Sequence, residues 1–185
     1  MNETLKVLET RRSCRNYKPD MIKDEDLKAI LKAGTYSATG MGKQSPVIIA
    51  VTDKSLRDEI SEENRKIGGW GEGFDPFYGA VILIVLANTD VPTYIYDGSL
   101  VMGNLMNAAE SLGVASIWIH RAKEEFDSEF GKNILKKLGA ETLRATDSLQ
   151  TKALIIRSDG PSDVSSQESS RRSDQLSPGT FHRQL

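Results

Sequence analysis

The chain predicts a helix-and-strand protein of α/β or α+β class built around a buried sheet. Three observations predict it. Apolar residues recur at helical spacing in several segments. Two continuous apolar runs, Val47–Val51 and residues 80–87, have strand length and suit strands covered on both faces. The 35–46 stretch is rich in Gly, Ser and Thr and the 67–78 stretch in Gly, residues that punctuate regular structure.

The elements follow in order. Leu5, Val7 and Leu8 give a short first helix a narrow apolar stripe. Asp24, Glu25 and Asp26 place acid at the start of a second helix, where the dipole favours it. Leu27, Ile30 and Leu31 form its buried face, and Ala33-Gly34 closes it. Residues 35–46 read as a loop before the strand Val47–Val51. A third helix spans about 55–66. Residues 67–78 form a loop with four glycines and the aromatics Trp70, Phe74, Phe77 and Tyr78. The second strand follows at 80–87. Asp97 can N-cap a long helix over 97–112, with Leu100, Val101, Leu105, Ala108 and Leu112 at apolar positions and Gly113 as its stop. Residues 115–119 make a third strand. One charged amphipathic helix is expected over 123–138, stopped by Gly139.

Composition narrows the function. The chain has 185 residues and a formal net charge of −2, so no basic excess argues for nucleic acid. No run reaches the roughly 18 apolar residues of a membrane span. The one cysteine, Cys14, leaves no internal disulfide and no cysteine-rich metal or iron–sulfur site. The N-terminus lacks an apolar signal region, so a cytoplasmic location is expected. There is no G-x-G-x-x-G and no Walker loop, which argues against a Rossmann or P-loop nucleotide site.

Arg11-Arg12-Ser13-Cys14-Arg15 concentrates three guanidinium groups and a hydroxyl. Guanidinium forks match phosphate oxygens two at a time, so the cluster is either a phosphate cradle or a solvated basic turn.

Five stretches together resemble the FMN-dependent nitroreductase family, over about residues 2–139. They are Arg11 to Tyr17; the 38–46 loop ending Gln44-Ser45-Pro46; Asp75-Pro76-Phe77-Tyr78-Gly79-Ala80; Asp97-Gly98-Ser99; and the segment 112–121 ending Trp118-Ile119-His120-Arg121. The resemblance implies an α+β fold with a central mixed sheet surrounded by helices. It implies a homodimer with the long helix at the interface, its small residues Gly103, Ala108 and Ala109 allowing close approach. FMN would lie between the subunits.

Residue roles come with the resemblance. Arg11, Arg12, Ser13 and Arg15 match the phosphate and ribityl motif. Gln44, Ser45 and Pro46 match the loop along the isoalloxazine edge. Asn64 corresponds to an asparagine that touches the flavin. Trp118, Ile119, His120 and Arg121 match the segment passing one face of the ring, with the His120 backbone N–H toward N5. No side-chain nucleophile and no metal are implied. The implied activity is ping-pong hydride transfer from NAD(P)H to a nitroaromatic, quinone or similar small acceptor. The alternative is a flavin-binding protein without turnover. Cys14 is expected to point inward as a small filler. The 70–78 aromatics are either a lid over the pocket or a surface loop packing its own rings.

Residues 1–160 read as the family-like domain, and 161–185, with seven serines, as a polar, disordered tail. Beyond Gly139 the family's glycine pattern is absent. Residues 152–157 are a candidate strand, but the strand that normally finishes the sheet is expected to be missing or replaced.

Overall fold

The computed structural model describes residues 2–18, 20–138 and 149–158. Helices α1 (Glu3–Thr10) and α2 (Asp24–Thr35) precede strand β1 (Val47–Val51) and helix α3 (Lys54–Gly68). Strand β2 (Val81–Asn88), helix α4 (Tyr94–Ser111) and strand β3 (Val114–Ile119) follow. Helices α5 (Ala122–Asp127) and α6 (Glu129–Lys137) lead to strand β4 (Leu149–Ser158).

The strands form one sheet in the order β1-β2-β4-β3, and each neighbouring pair is antiparallel. Side chains alternate across a strand, so a strand apolar at every position must be covered on both faces. β2 is such a strand from Val81 to Ala87. Ile82, Ile84 and Leu86 pack in one core with Ile60 of α3, Phe126 of α5 and Ile134 and Leu135 of α6. Val81, Leu83 and Val85 pack in a second core with Ile30 of α2 and Met102 and Leu105 of α4. The result is the expected α+β fold, a sheet between two helical layers. Its parallel component, among the described residues, is a single bridge between Ser13 and Ser116.

Several boundaries differ from the sequence reading. The candidate strand at 152–157 is present and longer than expected: β4 lies between β2 and β3 and pairs with both, with Leu154 and Ile156 in the second core, so the sheet is not left unfinished. The run of Ala153, Leu154, Ile155 and Ile156 supplies strand character without the glycine pattern. Helix α4 begins at Tyr94 with Thr93 as its N-cap residue, so Asp97 is no cap. Its carboxylate instead accepts hydrogen bonds from Gly40 N (2.9 Å) and Thr93 Oγ1 (2.9 Å), tying the 35–46 loop to the helix. Gly34 lies inside α2, where a side chain would meet Ile48 Cδ1 at 2.6 Å and Leu105 Cδ2 at 2.7 Å. It permits the approach of α2 to α4 and stands one residue before the last of the helix, where the sequence placed its end. Ala109 faces the core and is fully buried, not part of an exposed seam.

The helix expected over 123–138 is two helices. Ser128 breaks it with extended backbone, donates to Glu125 O (2.7 Å) and accepts from Gly131 N (3.1 Å) as the cap of α6. Serine favours this cap position over a helix interior. The stop at Gly139, the 161–185 tail and the boundary at 160 lie outside the described residues.

Gly131 is where α6 meets α5. A Cβ there would lie 2.3 Å from Glu125 O and from Phe126 Cα, both backbone atoms. Helix propensity alone favours Ala over Gly by about 1 kcal/mol. Overpacking against backbone reverses that sign, so Gly131→Ala should lose about 1–3 kcal/mol in a urea melt. A stabilised variant would show that α5 and α6 do not pack this closely.

Candidate functional site

The Arg motif leaves α1 and runs beside β3. Cys14 N donates to Ser116 O at 3.0 Å, next to the Ser13–Ser116 bridge. Cys14 is buried, as expected, and Tyr17 Oη donates to Cys14 O at 2.7 Å. This pairing places Arg15 beside the end of β3. Arg15, Trp118, Ile119, His120 and Arg121 line one cleft of about 220 Å³. Its far wall is aromatic, from Trp70, Phe74 and Tyr78. The lid alternative for the 70–78 loop therefore has a structural basis: these rings face the predicted segment. They also touch one another, Trp70 with Phe74 at 5.1 Å between centroids and Phe74 with Tyr78 at 6.3 Å.

The remaining predicted residues take other places. Arg12 is exposed, and its Nη1 donates to Glu9 O (2.7 Å) and Arg11 O (2.8 Å). Arg11 is half-buried, and its Nη1 is buried with no hydrogen-bond partner. Gln44, Ser45 and Pro46 precede β1, at the same end of the sheet as His120 but on the opposite edge. Three inter-strand spacings separate those edges, roughly 14 Å. Gln44 has φ +48°, with its N–H donated to Thr39 Oγ1 (3.0 Å) and its Nε2 to Ser37 O (3.2 Å). Asn64 is fully buried, so it does not line the cleft, and its Nδ2 donates to Glu125 Oε2 (3.0 Å).

Five side-chain polar atoms are buried without a partner among the described residues: Arg11 Nη1, Ser45 Oγ, Asn64 Oδ1, Arg121 Nε and Glu125 Oε1. Four of the five belong to residues singled out from the sequence, and the fifth belongs to the partner of Asn64. Native chains keep such orphan groups rare, and they concentrate where a ligand or function answers them. Arg121 adds backbone strain, with φ +71° in the left-handed region, a conformation that costs a non-glycine residue about 1–3 kcal/mol.

A family model described as the Nitroreductase family matches residues 8–67. A protein of Archaeoglobus fulgidus named "Putative NADH dehydrogenase/NAD(P)H nitroreductase" is 30% identical over 122 residues, covering 64% of this chain and 68% of that protein. The chain belongs to the nitroreductase family. The fold agrees. A nitroreductase with bound FMN from Bacteroides fragilis, 23% identical, superposes with a TM-score of 0.81 over the whole of both chains. A nitroreductase with bound FMN from Desulfitobacterium hafniense, 26% identical, covers 88% of this chain and 92% of its own with a TM-score of 0.71. As a nitroreductase, the protein is an oxidoreductase. No helix among the described residues is long and apolar enough to cross a membrane, and no group of three metal-ligating side chains occurs among them.

Two acidic residues to which the sequence reading gave no role support the site of this nitroreductase. Asp75 accepts from Ser61 Oγ, Phe77 N (2.8 Å) and Gly79 N, and so shapes the turn that presents Tyr78 at φ +52°. The Asp-Pro pair preceding Gly79 was the available signal, since such pairs start turns. Glu125 is fully buried behind the cleft, one helical turn after Arg121. Its carboxyl is pushed up to about 8, first by burial and also by Glu63, while Asn64 and Arg121 act in the opposite direction. A neutral acid carries the donor that a buried carboxylate lacks.

The folded nitroreductase therefore keeps the Glu125 proton where an unfolded chain, at the ordinary value of 4.5, has released it. The stability this proton contributes is present below about 4.5 and is lost as pH rises toward 8, at roughly 1 kcal/mol per pH unit. Glu125→Gln should flatten the fall in melting temperature between pH 5 and pH 8. A variant as steep as the parent would mean that Glu125 is ionised in the fold.

Proposed function

We propose that this nitroreductase is an FMN-dependent enzyme that takes hydride from NAD(P)H and reduces a flat, electron-poor acceptor such as a nitroaromatic or quinone. The observation that carries the reading is the set of orphaned buried polar atoms. Of these, Arg11 Nη1 is a donor, and Ser45 Oγ can donate or accept. A ligand rich in anionic and carbonyl oxygens is what such groups answer, and FMN has both. The similarity to relatives solved with bound FMN supports the same choice.

On this reading Arg11, Ser13 and Arg15 would hold the anionic and ribityl part, and Gln44, Ser45 and Pro46 the ring edge. The backbone of 118–121, at the open end of β3, would pass the ring face and offer the His120 N–H. Arg12 would act as a more distant positive charge. Bound FMN would supply the hydride relay between donor and acceptor. The chain's own contribution is to place cations and backbone donors where negative charge develops. The aromatic wall offers a flat, water-poor face to the acceptor.

The site is completed by a second copy of the chain. A cleft of about 220 Å³ is small beside the roughly 300–1,000 Å³ of ligand pockets. The Gln44–Ser45–Pro46 segment stands on the far edge of the sheet and needs another subunit to meet it. Apolar side chains stand ready for one: Tyr96 (70% exposed) and Leu100 on α4, and Leu5 and Leu8 on α1. Space beside Gly103 is open on α4.

The test is an anaerobic absorbance spectrum of the purified protein before and after NADH. Flavin bands that bleach are the expected result. No flavin and no uptake of added FMN would overturn the reading. Arg15→Ala should weaken FMN binding by about ten- to hundred-fold, the cost of a lost charged hydrogen bond, in a fluorescence titration. Sedimentation should give a dimer, and an FMN-loaded monomer would remove the shared site.

A further inference from the structure

The cleft holds a device whose purpose the hydride reaction alone does not require. Trp70 follows the left-handed stop of α3 at Gly69. Its ring sits against Gly68, where a Cβ would lie 2.6 Å from ring atoms Cε3 and Cζ3. Arg65 Nη1 donates to Trp70 O at 2.6 Å, and Phe74 lies alongside. Arg65 thus fixes the Trp70 backbone, while Gly68 and Phe74 contact its ring. Over it stands the Arg121 guanidinium, 4.3 Å from the ring centroid. Stacking on an aromatic face orients an arginine while leaving its donors available.

The charge of Arg121 is not spent inside the fold. Its guanidinium is in no ion pair among the described residues. The carboxyl that acts on it, Glu125, is held neutral near pH 7 by burial. Arg15, His120 and Arg121 line the cleft, and among the described residues no Asp or Glu does. A guanidinium fork takes a carboxylate two oxygens at a time, and the neighbouring rings take a flat body.

We propose that the Arg121–Trp70 stack selects the electron acceptor, favouring flat aromatic acceptors that carry a carboxylate or similar anionic group. The proposal rests on the reading that the acceptor is reduced in this cleft. It assigns Arg121 a side-chain role distinct from the backbone role of residues 118–121.

The test compares 4-nitrobenzoate with the neutral 4-nitrobenzyl alcohol. Binding of each to the oxidised, FMN-loaded protein is measured by calorimetry without NAD(P)H, and kcat/KM for each is measured with NADH. A charged hydrogen bond implies that the parent prefers the anion by about ten-fold or more in both measurements. Arg121→Gly, which suits the positive φ, should bring the two acceptors within about two-fold. Trp70→Leu should reduce the preference by removing the ring that orients the guanidinium. Equal binding of the two compounds by the parent, or a preference that survives both substitutions, overturns the proposal. So does a parallel loss for both acceptors and for NADH bleaching, which would place Arg121 in cofactor binding. A protein without flavin overturns the oxidoreductase reading instead, and calorimetry on that protein still decides whether the cleft prefers the anion.

Discussion

The structure depends on β4 lying between β2 and β3. Those two strands do not touch; each pairs with β4 along most of its length. Without β4 their facing N–H and C=O groups would be buried between helical layers with no partner. Each such group costs about 1–3 kcal/mol, more than the fold can absorb over a whole strand. The same strand sets the site. β3 carries Trp118 and Ile119 and delivers His120 and Arg121 at its end, so the cleft is where it is because β4 holds β3 in the sheet. The bridge at Ser116 then brings the Arg motif to that edge.

Two independent signs of cost fall on the same segments. Non-glycine residues with positive φ are Met41, Gln44, Tyr78 and Arg121. The orphaned buried polar atoms fall on Arg11, Ser45, Asn64, Arg121 and Glu125. Two of the strained residues and one orphan lie in the 41–46 loop, and the other two strained residues line the cleft. Backbone strain and unmet hydrogen bonding have different physical origins. Their coincidence marks residues kept for a purpose other than stability.

Charge is divided with equal clarity. The buried carboxyls hold the frame: Asp97 ties a loop to α4, and Glu125 joins α5 to α3 as a neutral acid. Asp75, half-buried, shapes a turn. The cations near β3 face outward into the cleft. Acid inside and base at the mouth leave a positive field where an anionic ligand would enter.

Local pattern was enough for much of this. The bounds Val47–Val51 are legible because an unbroken apolar run rich in β-branched residues reads as a strand, and the α4 core face is legible at Val101 and Leu105 from helical spacing. The Arg motif and the 118–121 segment were legible by resemblance, and five of the residues named from them meet in one cleft. Other features were decided only by tertiary packing. Asp97 reads as a cap until Gly40 and Thr93 claim its oxygens. Asn64 reads as a cofactor contact by resemblance, and the fold pairs its Nδ2 with Glu125. Sequence determined which segments are helix, strand and basic turn, because those depend on neighbours a few positions away. Only the tertiary structure decided which polar side chains face each other and which face the cleft, because those pairs join residues 57 to 61 positions apart.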